Sequence, residues 1–412
     1  MRANLEAGVQ IPHYFRCPIS LEMMHDPVTL STGQTYDRSS IESWVSTGNT
    51  TCPVTRIPLP DFTLIPNHTL RRLIQDWCVS NRSTRIPIPK QPADPALVRT
   101  FLTRASSPSA PYPSKLSALK ALRTLARDSD RNRSLIAAAC GSRQILLSIA
   151  FPDLGSEPSD LNHEALALLS VFALPESDCE RLARDPLRVG YLVSLLFNSS
   201  IDVRISSASV IEAVVAGIRS ADLRPRISGA EGVFDGVVGI LSFPLACPWA
   251  VTAGIKALFA LCLVKQHRHR AVAAGAVAAL VDRLAELERC DAERALATAD
   301  LLCRIPAGCA AFGEHALTVP LLVKVILKVS ERATEYATGA LLSLCLASEA
   351  ARREAAGAGV LTQMLLVVQS GCTERAKRKA QMLLKLLRDS WPRDSSDAKP
   401  DVALIGNDVV LF

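Results

Sequence analysis

The sequence predicts a mainly α-helical protein in which a small α+β unit precedes an α-solenoid. The composition, 49% apolar but only 5% aromatic, is typical of many packed helices. Apolar helical segments recur roughly every 40–47 residues after Lys115. A predicted β-hairpin lies between two Cys-Pro turns near the N-terminus. At 412 residues, the chain is long enough for two or three domains.

The α+β unit is predicted over residues 10–84. The segment "DPVTLSTGQTYD" predicts a hairpin with strands at 28–30 and 34–36. A short helix follows, for which Asp37 is the expected N-cap and Gly48 the C-terminal stop. A second helix over 67–81 should bury one apolar stripe, formed by Leu70, Leu73, Ile74, Trp77 and Cys78.

A Pro-rich linker is predicted over 85–114, followed by a repeat array over 115–390 and a tail over 391–412. Each repeat is expected to contain a short helix, a small-residue turn and two longer helices. Its period is that of HEAT and armadillo arrays, in which stacking buries the apolar faces. The matching apolar anchors are Leu122, Leu168, Ile211, Leu258, Leu301, Leu341 and Leu383.

The two Cys-Pro turns resemble the start of a zinc-binding RING finger but lack the partner cysteines. Ser20 and Thr55 stand where the second cysteine of each pair would be. The other nearby ligand types are Cys17, Cys52, His13, His25 and His68, too few for two zinc sites. We therefore expect no metal and no cofactor, and a polar network in their place. Its candidate members are Ser20, Glu22, Asp26, Asp37, Arg38, Thr55, Arg56 and Asn67.

Charge and hydropathy disfavour nucleic-acid binding and a transmembrane span. A net charge of +6 without a basic stripe argues against nucleic-acid binding, and "KQHRHR" (265–270) is interpreted as a solvated turn between helices. No segment approaches the 18 apolar residues of a transmembrane helix. Single cysteines within apolar text and the absence of a secretory signal predict a reducing, cytoplasmic location. The nucleus and peripheral membrane association remain alternatives.

The run from "IPHYFRCPIS" to "RRLIQDW" (11–77) resembles a U-box, the zinc-free relative of the RING finger. The whole chain resembles the plant U-box armadillo-repeat ubiquitin ligases that have the U-box near the N-terminus. This resemblance implies an E3 ubiquitin ligase. A ubiquitin-conjugating enzyme (E2) carrying ubiquitin as a thioester would pass it directly to a substrate lysine, and the armadillo groove would bind the substrate protein.

The resemblance also implies roles for four residues. Ile19, Trp44 and Pro53 match the family's E2-binding positions, and Arg56 matches the linchpin cation that bridges E2 and ubiquitin. A guanidinium suits simultaneous contact with two carbonyl-rich surfaces. Two purely structural roles remain alternatives. Trp44 could be a core residue, and Arg56 could pair with the carboxylate of Glu22 or Asp61.

Two further functions remain alternatives to the ligase. One is a non-enzymatic armadillo scaffold with an inactive U-box, and the other is a nuclear factor associated with nucleic acid. The presence of all four family positions disfavours the first, and the absence of a basic stripe disfavours the second. Dimerisation through the U-box and a role in plant stress or defence signalling are further expectations from the resemblance.

Overall fold

The computed structural model describes residues 12–80, 93–151, 159–242 and 248–388. These residues form two compact units, divided between Asp94 and Pro95. The first unit is α+β and the second is entirely helical, which confirms the predicted fold class. The elements of the first unit are β1 (Pro27–Thr29), β2 (Thr35–Asp37), α1 (Arg38–Ser46), β3 (Ile65–Pro66) and α2 (His68–Ser80).

The sheet of the first unit is antiparallel, in the order β2-β1-β3. Val28 of β1 pairs with Tyr36 on one side and with Pro66 on the other. The predicted hairpin is therefore confirmed to within one residue, and the turn contains Gly33 with φ +79°. The two-residue strand β3 was not predicted, because so short a segment has no alternation to read.

The core of the first unit gathers aromatic, aliphatic and sulfur side chains from β1, β2, both helices and the segments that flank them. Ile74 and the partly buried Leu70 and Trp77 place α2 against this core. The predicted stripe is wrong at Leu73, which is 52% exposed because so small a unit covers only a narrow face of the helix. The Cys78 side chain lies outside the described residues. The buried core members are Phe15, Cys17, Met24, Val28, Leu30, Tyr36, Ile41, Cys52, Leu59 and Ile74.

The second unit is an α-solenoid. Its helices are α3 (Pro95–Ser106), α4 (Tyr112–Asp128), α5 (Asp130–Ala138), α6 (Ser142–Ala150), α7 (Asp160–Leu169), α8 (Glu176–Arg184), α9 (Pro186–Leu195), α10 (Ile201–Gly217), α11 (Arg224–Ser228), α12 (Val233–Leu241), α13 (Pro248–Cys262), α14 (Arg268–Ala273), α15 (Ala276–Leu284), α16 (Arg289–Cys303), α17 (Pro306–Glu314), α18 (Thr318–Val325), α19 (Glu331–Ala347), α20 (Glu349–Gly357), α21 (Val360–Gln369) and α22 (Glu374–Leu386).

The predicted linker, 85–114, is wrong from Pro95 onward. Residues 95–106 form α3, which packs against α4. Prolines misled the prediction, because Pro95 and Pro113 lie in the first turns of α3 and α4, where a missing N–H costs nothing. Residues 85–92 of the linker and the predicted tail lie outside the described residues, and the other domain limits stay predictions.

Every third helix of the solenoid from α4 onward packs against the next member of the series, which forms a ladder of seven helices. This helix ladder consists of α4, α7, α10, α13, α16, α19 and α22. All seven predicted anchors lie on it, and six of them are buried. The exception is Leu301, because its neighbour Leu302 takes the buried position.

Small-residue turns precede the middle helix of several repeats, as predicted. Gly232, Gly275 and Gly359 have φ of +76°, +83° and +81°, a region that a side chain would strain. The interpretation of 265–270 as a solvated turn is wrong for Arg268, which is 8% exposed. Its Nε donates to the Cys262 carbonyl at 2.7 Å and so satisfies the end of α13.

Among the described residues, no single helix is both long and apolar enough to cross a membrane. Two sharply bent helix pairs, α13 with the helical segment after it and α16 with α17, reach the threshold by length and composition only.

Candidate functional site

The two Cys-Pro turns of the first unit have the same backbone geometry. We call residues 17–22 loop 1 and residues 52–57 loop 2. In loop 1 the Cys17 N–H donates to the Glu22 carbonyl at 2.8 Å, and the Leu21 N–H returns to the Cys17 carbonyl at 2.8 Å. In loop 2 the same two bonds join Cys52 with Ile57 at 2.9 Å and Arg56 with Cys52 at 2.8 Å. The loops are therefore fixed by their own backbones as well as by their surroundings.

Consecutive residues of β2 hold the two loops through the cysteine sulfurs. The Asp37 N–H donates to Cys17 Sγ at 3.3 Å. The Tyr36 hydroxyl lies 3.0 Å from Cys52 Sγ and accepts the Val54 N–H at 3.2 Å. Strand β2 therefore connects loop 1 to loop 2, in the place where a zinc ion would bind thiolates in a RING finger.

Electrostatics around the two thiols differ from those of ordinary buried cysteines. Burial alone would raise the pKa of Cys52, but hydrogen bonds from Thr32, Tyr36 and the Thr55 backbone lower it to about 6. Burial likewise opposes ionisation of Cys17, yet backbone N–H donors lower the pKa of this thiol too. Burial raises the pKa of Tyr36, so the phenol keeps its proton and donates it toward the sulfur.

Loop 1 is also supported by a carboxylate-centred network. Asp37 Oδ1 accepts the N–H groups of His25 at 2.7 Å and Asp26 at 2.8 Å. The expectation that Asp37 caps α1 is therefore correct in position but wrong in mechanism, because its carboxylate faces the loop. Arg38 Nε binds Asp26 Oδ2 at 2.7 Å, and Arg71 of α2 forms an ion pair with the other oxygen of Asp26.

Asn67 connects the sheet to α2. Its side-chain oxygen accepts the Leu70 N–H at 3.0 Å, and its amide nitrogen lies 3.4 Å from the hydroxyls of Thr29 and Thr35. Of the expected network, Asp26, Asp37 and Arg38 are thus joined to one another, whereas the Asn67 side chain binds groups of the sheet and α2. Arg71 was missed, since its partner lies 45 positions earlier in the chain and no local pattern links them.

The structure offers no alternative metal site in the part of the chain that it describes. There, no three side chains of His, Cys, Asp or Glu lie close enough together to hold an ion. The two sulfurs instead accept hydrogen bonds from the protein.

The predicted E2-binding residues fall on the two loops and on α1. Ile19 and Trp44 are both half-buried and pack against the same core cluster. Trp44 Nε1 also donates to the Thr51 carbonyl at 2.9 Å, which ties α1 to the start of loop 2. Pro53 is half-buried in loop 2. Trp44 therefore has a structural role whether or not it contacts a partner.

Sequence reasoning missed Leu21, the most exposed large apolar side chain near these residues. It is 71% exposed, and Val54 and Ile57 of loop 2 are exposed as well. Each could have been found by noting that a six-residue loop has no interior in which to bury a branched side chain. Together the two loops present apolar groups to solvent, which is typical of an interface.

Arg56 is exposed on loop 2. Within the described residues, its guanidinium forms no ion pair with Glu22, Asp61 or any other carboxylate. The structural alternative for this residue therefore has no supporting contact, and the cation is free to meet another molecule.

Two similar loops held by hydrogen bonds to their cysteine sulfurs, followed by a ladder of stacked helical repeats, define a U-box joined to an armadillo array. Comparison with known families agrees, since the U-box domain matches residues 11–83 and the plant U-box protein ARM repeat region matches residues 98–401. The chain belongs to this family of plant U-box proteins with armadillo repeats.

The similarity to known proteins extends over nearly the whole chain. U-box domain-containing protein 26 of Arabidopsis thaliana is 60% identical over 401 residues, which cover 95% of each chain. E3 ubiquitin-protein ligase PUB23 of the same plant is 34% identical over 404 residues, 94% of this chain and 95% of that one. Named ligases among the relatives support an E3 ubiquitin ligase.

One solved structure supports the solenoid fold. It is described as "A conserved phosphorylation switch controls the interaction between cadherin and beta-catenin in vitro and in vivo". One chain of that structure superposes on this protein with a TM-score of 0.57 at 16% identity. The superposed region covers 80% of this protein and 59% of the other chain. At this identity the likeness concerns the fold alone.

Proposed function

We propose that this protein is an E3 ubiquitin ligase whose U-box recruits an E2 charged with ubiquitin and promotes transfer to a substrate lysine. The observation that carries this proposal is the pair of matching loops that expose Leu21 and Arg56 at equivalent positions. Apolar groups on both loops would dock the E2, and the free guanidinium would contact the E2 and ubiquitin together.

The chemistry needs no nucleophile from this chain. The substrate lysine amine attacks the thioester carbonyl, an isopeptide bond forms, and the E2 cysteine leaves as a thiol after the amine loses its proton. The ligase accelerates the reaction by holding the thioester in a reactive orientation. Cys17 and Cys52 are buried and serve the loops, which agrees with this division of roles.

The armadillo array would supply the substrate. Its helix ladder offers a continuous surface on which a protein segment can lie, as in other superhelical repeat proteins. We further propose that the protein acts in the cytoplasm as part of plant stress or defence signalling, with the nucleus and peripheral membrane association as alternative locations.

Autoubiquitination tests the proposal. The full chain is incubated with E1, a panel of E2 enzymes, ubiquitin and ATP, and ubiquitin ladders on the chain are followed by immunoblot. Ladders that depend on the chain and on ATP support a ligase. Their absence with every E2, from a preparation that is folded by circular dichroism, would favour a scaffold with an inactive U-box.

A further inference from the structure

A groove crosses the first four helices of the ladder, α4, α7, α10 and α13. It encloses about 590 Å³ and lies entirely within the second unit. Small side chains form much of its floor, among them Ala126, Ala167, Ser209 and Ala253. Small residues allow a peptide backbone to approach the helices closely, so the groove has the shape for an extended segment.

The charged side chains of the groove are mostly cationic. Arg123, Arg127 and Lys256 line it, against one carboxylate, that of Asp202. Arg123 is already engaged, with its Nη atoms 3.2 Å from Glu164 Oε1 and 3.7 Å from Asp202 Oδ2.

Arg127 and Lys256 differ from Arg123. In the portions of the chain that the structure describes, neither forms an ion pair with a carboxylate. Two positive charges at opposite ends of the groove are therefore available to a ligand.

An exposed aromatic side chain lines the same groove. Trp249 at the start of α13 lines the groove and is 59% exposed, and Val171 after α7 is exposed as well. Tryptophan contributes more binding energy at protein interfaces than most residue types. The groove therefore combines an apolar contact surface with unneutralised positive charge.

At the C-terminal end of the ladder, polar and charged side chains pair between neighbouring repeats. Thr373 donates to Glu335 Oε2 at 2.7 Å and Ser330 donates to Glu293 Oε2 at 2.6 Å. Lys379 lies 3.7 Å from Asp300 across Gly339, where a Cβ would approach both side chains to within 2.4 Å. Lys379 and Asp300 neutralise each other there, whereas Arg127 and Lys256 of the α4–α13 groove have no carboxylate beside them among the described residues.

We propose that the α4–α13 groove binds an extended acidic segment of the substrate protein, with its carboxylates on Arg127 and Lys256 and an apolar side chain on Trp249. This inference rests on the proposed ligase function and specifies the substrate class. Three steps between neighbouring helices, at about 8–10 Å each, separate α4 from α13. An extended chain covers that distance in about eight residues.

The test measures peptide binding to the full chain by fluorescence anisotropy. The probes are fluorescein-labelled ten-residue peptides that alternate Asp or Glu with Ser around a central Phe, and matched peptides with Lys or Ser in place of the acids. The acidic peptide should bind at least tenfold more tightly than either control. The double variant Arg127→Glu/Lys256→Glu and the single variant Trp249→Ala should each weaken binding about tenfold or more.

Arg375→Glu on α22 is the matched charge reversal outside the groove, and it should leave the Kd unchanged. Equal binding of basic and acidic peptides, or equal losses in Arg375→Glu and the groove variants, would overturn the proposal. So would stronger competition by a single-stranded oligonucleotide or an anionic vesicle than by unlabelled acidic peptide. Discharge of E2-bound ubiquitin to free lysine needs only the U-box, so its failure would count against the ligase and not against the groove.

Discussion

Leu21 and Arg56 occupy equivalent positions in the two Cys-Pro loops, with φ of +60° and +58°. Both are the fifth residue of their loop, and both donate their N–H to the carbonyl of the cysteine that starts it. A residue with a Cβ is held in this left-handed region at a cost of roughly 1 kcal/mol. Glycine would avoid this cost at both positions, so the two exposed side chains, more than the loop backbones, account for the presence of leucine and arginine here.

Two substitutions of Arg56 test whether its side chain stabilises the fold. Arg56→Gly removes the strained Cβ, so the free energy of unfolding of the first unit should stay level or rise by up to about 1 kcal/mol. Arg56→Ala should leave it nearly unchanged, because the exposed guanidinium has no ion pair. Hydrogen exchange of residues 50–60, followed by mass spectrometry in the full chain, measures both. A loss above about 2 kcal/mol in either variant would make Arg56 structural.

Leu21→Ala should weaken E2 binding without weakening the fold. The side chain is 71% exposed, so its loss removes little internal contact, while truncation of an apolar interface anchor commonly costs about 2 kcal/mol. That corresponds to a roughly thirtyfold higher Kd for free E2 by calorimetry.

Leu73→Ala is the matched control for Leu21→Ala, because Leu73 is an exposed leucine on α2 of the same unit. It should leave the Kd for E2 unchanged. Trp44→Ala should both raise that Kd and destabilise the unit, since it also breaks the bond to the Thr51 carbonyl. Equal E2 affinity of Leu21→Ala and wild type would remove Leu21 from the interface.

Fold class, the hairpin and the repeat period could be predicted because each depends on local spacing. The U-box interior could not, since the partners of Cys17, Asp26 and Cys52 lie 11 to 45 positions away along the chain. The Asp37 carboxylate shows the difficulty, because the same residue type caps helices and binds loops. Proline is common both in linkers and at the first position of a helix, so α3, which begins at Pro95, was predicted as part of the linker.

The Cys52 thiol predicts a pH dependence. Its pKa is about 6 in the folded chain, against about 8.5 for an unfolded cysteine. Between these values the unfolded chain binds more protons, so stability rises with pH, by on the order of 1 kcal/mol per pH unit, and this contribution is lost as pH falls through 6. Hydrogen exchange of wild type and Cys52→Ala, compared at pH 6 and at pH 8, isolates the contribution of this thiol to the free energy of unfolding.

Cys179→Ala is the control for this titration. Burial raises the pKa of Cys179 to about 11, so its loss should change stability equally at pH 6 and pH 8. A wild-type advantage over Cys52→Ala that stays constant from pH 6 to pH 8 would show that the Cys52 sulfur remains a neutral thiol.

Zinc content checks how the loops are held. Because hydrogen bonds engage both sulfurs, the purified chain should contain well under one equivalent of zinc by elemental analysis. A chelator should leave hydrogen exchange in residues 15–60 unaltered. Stoichiometric zinc whose removal unfolds this segment would refute the hydrogen-bonded account.

Single-turnover discharge of E2-bound ubiquitin tests the central claim most directly. The E2–ubiquitin thioester is prepared, E1 is stopped, and free lysine is added with or without the full chain. We expect wild type to accelerate loss of the thioester, Arg56→Ala to slow this by about tenfold or more at saturating concentration, and no thiol-sensitive ubiquitin adduct to form on the chain itself. Discharge at the same rate with and without the chain, or ubiquitin held as a thioester on one of its cysteines, would contradict the account.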